Sequence, residues 1–418
     1  MKKLNVFLVS VLAAAALNAA VIEQVIVRQQ WPWSTDVKVE YKISAVTNPV
    51  DITVQAFNGA TELLLPAEAI TGDRYGVTED GVGTLVIDPV KAFGTEKVAL
   101  ANFKVKLTVA DSNEGMMRAL YKIYDLRDGT VVDVSKADLL NGKYGTVETD
   151  FGKIGDGYKT ELTDVVIWTG VTNNIDYKTR KLVMRRIPAK NVTWTMGAPA
   201  DEPSIISETL ERQHQVTFTN DYWVGVFEFT QGQMSALNGK EWNENYALPK
   251  ANDAWNDFIP RFAKLNEKFS CTGFGYITEA QWEFACRAGT KTGLYSGKEF
   301  TTVNVNELGW VKGGPGVVEG MAVAVGQLRP NAYGLYDMVG NASEFCADWF
   351  YNGPLGDLNQ TVNPTGATTG TEKILRGGGV LYWGDHARSA CRSVHFSPEY
   401  YNFGMNFYGW RVCCTIDE

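Results

Sequence analysis

The sequence has few histidines and no excess of positive charge, and both shortages exclude classes of protein. Three histidines occur among 418 residues, and 39 Lys and Arg stand against 48 Asp and Glu, a net charge of −9. Such a chain offers no basic surface to a nucleic-acid backbone, so no nucleic-acid partner is expected. The sequence also lacks a G-x-S-x-G, an H-E-x-x-H and a phosphate-binding loop, which leaves ordinary hydrolases and kinases without support.

Long apolar runs are absent after residue 20, so no membrane span is expected. Before that point Lys2 and Lys3 precede an apolar run over 6–17 and two small residues, the layout of a secretory signal peptide. We therefore expect residues 1–20 to be removed and the mature protein to be exported to the periplasm, the cell surface or the medium. The mature chain then has 37 basic and 48 acidic residues, a net charge of −11.

Cysteine is absent from the first 270 residues, and no pair has the spacing C-x-x-C. In an exported protein, structural disulfides are favoured over metal thiolates. Six cysteines allow 15 pairings, so the residues alone leave the pairing open. The six are Cys271, Cys286, Cys346, Cys391, Cys413 and Cys414.

The length of 418 residues and a composition with 45% hydrophobic and 12% aromatic residues predict a globular protein of two or three domains. Residues 21–110 alternate apolar and polar positions in short runs, which predicts an immunoglobulin- or fibronectin-like β-sandwich. Near its start, Trp31 and Trp33 could stack on a sugar, but we favour their plugging the sandwich end. Residues 111–180 are interpreted as a connecting segment with strands, and 181–418 as the larger domain.

Two helix starts are recognisable in the larger domain. Thr230 with Gln233 and Thr278 with Gln281 fit the capping box, in which each side chain satisfies a free backbone N–H. Between them, apolar residues recur at steps of three and four, which predicts a helix with its stripe in the core. The stripe is Trp255, Phe258, Ile259, Phe262 and Leu265.

An ordered series of motifs runs through residues 185–414. It comprises Glu228-Phe229-Thr230, the segments 276–287 and 330–345, Arg376-Gly377-Gly378, Arg388-Ser389-Ala390 and Gly409-Trp410-Arg411. The series closely resembles the sulfatase-modifying factor family, whose founding member is the formylglycine-generating enzyme. The resemblance implies an α+β, C-type-lectin-like domain, so the whole chain is predicted to be a β-rich multidomain protein with the β-sandwich at its N-terminal end.

The resemblance also implies disulfides and a metal. A Cys286–Cys391 bridge and a bridge from Cys271 to Cys413 or Cys414 would match the family. A structural calcium ion would be held by Asp337, Gly340, Ala342 and Glu344, and carboxylate and carbonyl oxygens are the ligands that calcium prefers.

The family's catalytic feature is missing. The formylglycine-generating enzyme has two copper-binding cysteines, four residues apart, after the segment that matches Arg376-Gly377-Gly378. Residues 379–387 contain no thiol, and Tyr382 occupies the first cysteine's place. Copper(I) requires soft sulfur ligands, so copper is not expected and no catalytic residue is assigned. His386 and His395 could hold another metal with Asp385 or Glu399, although we favour ordinary loop histidines.

A binding function is therefore favoured over an oxidase. The candidate ligand surface is set on loops over the corresponding cleft, where aromatic side chains supply contact area at low entropic cost. It consists of Tyr382, Trp383, Arg392, His395, Phe396, Tyr400 and Tyr401. The expected partner is a secreted peptide, a sulfatase or a glycan. The alternative is an oxidase that converts a sulfatase cysteine to formylglycine, or another metal-dependent oxidase on the same fold.

Overall fold

The computed structural model describes residues 20–30, 33–95, 100, 102–240, 246–251, 253–353, 355–392, 394–399 and 407–415. The chain forms two compact units. The first takes the chain up to Leu120 and also Val134–Val147, whereas the second takes Tyr121–Asp133 and the chain from Glu148 onward. The chain therefore passes between the units three times. Within the described ranges, no helix is long and apolar enough to cross a membrane.

The first unit contains two antiparallel sheets, with strand orders β1-β2-β6-β5 and β4-β3-β7. The strands are β1 Val21–Gln29, β2 Val37–Ser44, β3 Val50–Asn58, β4 Thr61–Leu63, β5 Ile70–Gly72, β6 Gly81–Ile87 and β7 Phe103–Asp111. Short helices follow at α1 Pro89–Phe93, α2 Glu114–Met117 and α3 Lys136–Leu140.

Alternate residues of these strands bury one face of each sheet. Val39 and Tyr41 of β2 pack in the same core as Ile52 and Leu107 of the other sheet, as period-two alternation requires. The immunoglobulin or fibronectin type remains a prediction. Trp33 is 92% exposed, so the expectation that it plugs the sandwich end is wrong; Trp31 lies outside the described residues.

The second unit is built on a six-stranded sheet of order β14-β19-β13-β10-β8-β9, a four-stranded sheet of order β17-β16-β15-β18 and the hairpin β11-β12. The strands are β8 Ala119–Asp125, β9 Val131–Ser135, β10 Lys181–Ile187, β11 Val192–Met196, β12 His214–Phe218, β13 Tyr222–Gly225, β14 Phe274–Tyr276, β15 Ser343–Trp349, β16 Lys373–Arg376, β17 Val394–Phe396, β18 Tyr408–Gly409 and β19 Val412–Thr415.

Strand β10 is an inner strand, paired antiparallel with β8 on one side and β13 on the other. Its apolar residues are fully buried, and so are two arginines. Arg186 Nε donates to Asp221 Oδ2 at 2.8 Å, and Arg185 Nε donates to the Tyr333 carbonyl at 2.9 Å. These bonds compensate for burying two charges beside the core.

The helices of the second unit are α4 Phe151–Ile154, α5 Asp176–Thr179, α6 Gln231–Leu237, α7 Trp255–Lys268, α8 Glu279–Arg287 and α9 Thr302–Leu308. Both predicted capping boxes are confirmed, at the starts of α6 and α8. Helix α7 is also present, with Phe258, Phe262 and Leu265 buried. Ile259 is the exception to the predicted stripe, because 49% of its surface is exposed.

Candidate functional site

The loop after β16 turns sharply on glycines. Gly378 has φ +68°, and a Cβ there would lie 2.9 Å from the Ala387 backbone, so only glycine fits. The Ser343 hydroxyl of β15 donates to the Gly378 carbonyl. These contacts fix the start of the loop 379–387, which carries the residues in place of the family's copper ligands.

Two phenols meet where the thiols are missing. The hydroxyls of Tyr382 and Tyr408 lie 2.6 Å apart, and Tyr408 is almost completely buried. The ring of His386 is 5.1 Å from the ring of Tyr382, and Phe396 packs 4.8 Å from Tyr408. Phenols are hard oxygen donors and poor ligands for copper(I), so this pair does not reproduce the thiol site.

Trp383, the next residue, faces solvent with 59% of its surface exposed. Its ring rests on Gly313, where φ is +76° and a Cβ would come 2.5 Å from an indole carbon. The Lys312 ammonium lies 5.6 Å from the same ring. The indole is therefore held in place from one side and open on the other.

The remaining predicted ligand residues fall into three groups. His395 and Phe396 are half-buried on β17, and His395 Nδ1 lies 3.0 Å from Glu372 Oε2. Arg392 is buried and donates to both carboxylate oxygens of Glu279, at 2.6 and 3.1 Å, so it does not face the surface. Tyr400 and Tyr401 lie outside the described residues.

Arg392 belongs to a buried network that holds the loops together. Arg376 donates to Glu283 at 2.5 Å, and Glu283 also accepts from Arg287 at 2.9 Å. Burial pushes the pKa of Glu283 upward, but Arg287 and Arg376 hold it below its ordinary value. The Glu283 carboxylate is thus charged. Arg287 and Arg376, which belong to the sequence motifs, stabilise the fold here by pairing with it.

The predicted calcium loop carries two buried carboxylates. Asp337 has φ +57° and accepts from the Gly326 N–H at 2.7 Å through Oδ2. Glu344 accepts from Arg411 Nη2 at 2.6 Å and from the Trp282 indole N–H at 2.8 Å. The sequence predicted Asp337 and Glu344 here, but it did not assign a role to Arg411, although the Gly-Trp-Arg motif contains it.

Glu228 adds a third carboxylate to this cluster. Its two oxygens accept from the Ala342 N–H at 2.8 Å and the Asn341 side chain at 2.6 Å. Burial, reinforced by Asp337 and Glu344, raises the pKa of Glu228 well above its ordinary value. Burial likewise raises the pKa of Asp337 to about 6. Glu228 begins the motif Glu228-Phe229-Thr230, so the sequence did contain a pattern that could have assigned it to this site.

The charge balance of the cluster is the test of whether calcium fits. Three buried carboxylates, Glu228, Asp337 and Glu344, face two cations, the Arg411 guanidinium and the half-buried Lys178 ammonium. A divalent ion bound by oxygen atoms would offset this excess. The described residues contain no group of three or more His, Cys, Asp and Glu arranged to hold a metal, so backbone carbonyls such as those of Gly340 and Ala342 would have to complete the ligand set.

All six cysteines lie within the described residues, and no disulfide is formed among them in the structure. The group that faces the Cys286 thiol is the Ser389 hydroxyl, at 3.5 Å, and the Cys286–Cys391 bridge is not formed. Cys271 and Cys414 approach each other, with their sulfurs 3.7 Å apart. Of the two predicted partners of Cys271, Cys414 is the one whose sulfur lies near it, and the pairing itself stays a prediction.

The order of these elements agrees with one known domain. The family model described as the sulfatase-modifying factor enzyme 1-like domain matches residues 187–416. The chain belongs to the sulfatase-modifying factor family. Formylglycine-generating enzymes are similar to it in sequence: that of Streptomyces coelicolor is 34% identical over 180 residues, which cover 38% of this chain and 50% of the relative.

The enzyme of Bos taurus is 29% identical over 143 residues, which cover 32% of this chain and 35% of the relative. The chain thus spans half or less of the length of these relatives of the family. Among solved structures, Treponema denticola variable protein 1 matches with a TM-score of 0.47 and 23% identity, over 56% of this chain and 96% of its own.

Proposed function

We propose that this protein is an exported binding module, in which a sulfatase-modifying factor domain has kept its scaffold and lost the copper oxidase chemistry. The observation that carries the proposal is the Tyr382–Tyr408 pair, with its hydroxyls 2.6 Å apart. Tyr382 stands where the sequence resemblance puts the first thiol, and a phenol supplies no sulfur. Without a soft ligand, copper(I) has no site there.

The ligand would be a peptide or a glycan that binds over the loop 379–387 and the adjoining strand β17. Trp383 is its main anchor, because the indole is both exposed and held by Gly313. Tyr382, His395 and Phe396 extend the surface as half-buried neighbours. Arg392 is withdrawn from the set, because its guanidinium is committed to Glu279.

The competing function is the oxidase itself, which the similarity to formylglycine-generating enzymes favours. The experiment that decides is oxygen consumption by the purified mature protein with copper and a peptide carrying Cys-x-Pro-x-Arg. We expect no formylglycine in the peptide and no oxygen uptake above that of copper and peptide without protein, while peptide or glycan arrays give binding that Trp383→Ala removes. Conversion of the peptide cysteine to formylglycine would overturn the proposal in favour of the oxidase.

Calcium would have a structural role in this proposal. Asp337, Glu344 and the carbonyls of Gly340 and Ala342 would bind it, and the ion would supply charge neutralisation beside Glu228. The excess of buried carboxylates over the cations that face them supports this. The chain's own donors, Arg411 and Trp282, orient Glu344.

A further inference from the structure

A separate groove lies along the hairpin β11-β12 and the C-terminal end of α8. Its volume of about 540 Å³ is within the usual range for small-molecule sites. None of the residues assigned above to the Tyr382 surface or to the calcium cluster lines it. Aromatic rings, amides and hydroxyls line the groove, and among them are Trp194, Thr195, Gln213, Gln215, Phe284 and Thr290.

Two half-buried aromatic rings give the groove its apolar part. The rings of Trp194 and Phe284 are 5.3 Å apart, and Trp194 stacks on Phe218 from behind with an interplanar angle of 19°. The indole N–H of Trp194 is buried and has no hydrogen-bond partner within the protein. The nitrogen itself has almost no solvent-accessible surface, so Trp194 offers a ligand apolar carbon surface and no donor.

The charged groups of the groove neutralise one another. Glu161 and Lys291 form an ion pair of 2.8 Å between exposed side chains. Arg287 is buried and paired with Glu283 at 2.9 Å, and it also donates to the Thr292 carbonyl at 3.1 Å and to the Gly197 carbonyl at 3.0 Å. The lining therefore offers a ligand no uncompensated charge.

The polar groups that remain are amides and hydroxyls. Gln215 Nε2 donates to Thr195 Oγ1 at 2.7 Å, which leaves the Gln215 carbonyl oxygen available as an acceptor. The Thr290 hydroxyl donates to the Arg287 carbonyl at 2.9 Å, so its oxygen can accept a further bond. Gln213 is an exposed amide at the groove. Such groups recognise hydroxyls without selecting for charge.

We propose that this groove binds a neutral saccharide of one or two sugar rings. The apolar C–H face of a ring would pack against Trp194 and Phe284. Its hydroxyls would exchange hydrogen bonds with Gln213, Gln215 and Thr290. This site is independent of the ligand surface around Trp383.

The test is a titration of the full mature protein with a panel of neutral mono- and oligosaccharides, compared with sialylated and sulfated ones. We expect neutral sugars to bind and Gln213→Ala to weaken binding at least tenfold; Gln213 is exposed, so this variant keeps the fold. Gln215→Ala removes a second exposed amide of the lining, and it should weaken binding by a similar factor.

The matched control is Trp33→Ala, which removes an exposed indole that belongs to neither proposed site and should leave this affinity unchanged. The proposal is overturned if no neutral saccharide binds at millimolar concentration, or if only charged sugars bind. It is equally overturned if Trp383→Ala abolishes neutral-sugar binding while Gln213→Ala retains it.

Discussion

Arg388 and Glu211 form a buried bidentate ion pair. Arg388 Nη1 lies 2.7 Å from one oxygen of Glu211 and Nη2 lies 2.9 Å from the other, and both side chains are almost inaccessible to water. Arg388 Nη1 also donates to Glu202 at 2.8 Å. The pair joins the loop 197–213 to the loop after β16, so the fold depends on charges brought together across 177 residues of sequence.

Breaking this pair from one side should be costly. Glu211→Gln leaves the buried guanidinium with one carboxylate fewer, and we expect the free energy of unfolding to fall by about 3–5 kcal/mol. The matched control is Glu40→Gln, which removes the exposed partner of Arg28 and should change stability by about 1 kcal/mol or less. Urea unfolding followed by fluorescence measures both, and equal losses for the two variants would contradict the argument.

Calcium removal should destabilise the family domain. A ligand that binds only the folded state adds about 2.7 kcal/mol at 100 times its Kd, so chelation is expected to lower the melting temperature and added calcium to restore it. The double variant Asp337→Ala, Glu344→Ala should melt at the same temperature with and without chelator. An identical melt of the unaltered protein in both conditions would remove calcium from the proposal.

Stability should depend on pH through Asp348. Burial, followed by the nearby charge of Glu279, raises the pKa of Asp348 to about 7 from the ordinary 3.8. The folded chain therefore holds a proton that the unfolded chain releases at lower pH. The free energy of unfolding should fall as pH rises from about 4 through 7, by about 1.4 kcal/mol for each unit of pKa difference.

Asp348→Asn isolates this contribution, because the amide oxygen can still accept from the Glu279 N–H, now bonded at 2.8 Å. The variant should show a shallower decline between pH 5 and 7, and the rest remains because the pKa values of Asp337 and Glu228 are raised as well. Asp133→Asn, at an exposed carboxylate, is the control and should follow the unaltered protein. Parallel pH profiles for all three proteins would show that Asp348 is not the source.

Oxidation should join Cys271 to Cys414. Their sulfurs are 3.7 Å apart, and a small movement brings them to the bond length of about 2.05 Å. The residues are 143 apart in sequence, so the bridge would stabilise the fold by about 5 kcal/mol through the unfolded chain. Peptide mapping under non-reducing conditions should recover this pair, and recovery of Cys271 with Cys413 would refute the pairing.

Cys286 should remain a thiol in the same experiment. Burial raises its pKa to about 12, so the folded protein should alkylate there only after denaturation. A Cys286–Cys391 peptide pair would instead restore the bridge that the family resemblance implies.

The starts of helices α6 and α8 were predictable, because a capping box depends on two side chains only three residues apart. The alternation that buries Val39 and Ile52 was likewise visible, since strands repeat every two residues. The partners of Arg392 and Cys286 were not predictable. Glu279 and Ser389 reach them across 113 and 103 residues, and no spacing rule connects loops at such distances.

The sequence predicted which types of residue form the ligand surface, but not which individual residues belong to it. Loop aromatics near Tyr382 could be identified by residue type, but burial decides which of them face solvent. Trp33 shows the opposite error: its hydrophobic side chain suggested a plug, whereas the hairpin turn leaves it exposed. Composition cannot distinguish these cases, since both depend on which residues the rest of the fold covers.

The three passages of the chain between the two units bear on how the protein could be divided. Strand β8 lies beside β10 in the six-stranded sheet, yet it comes some 60 residues before the start of the family match at residue 187. A fragment that begins at residue 181 would lose β8 and β9 and turn β10 into an unprotected edge, which invites aggregation. The sheet of the family domain therefore includes strands that precede the family match. A fragment that starts after β9 would be unsuitable for testing the chemistry of this domain.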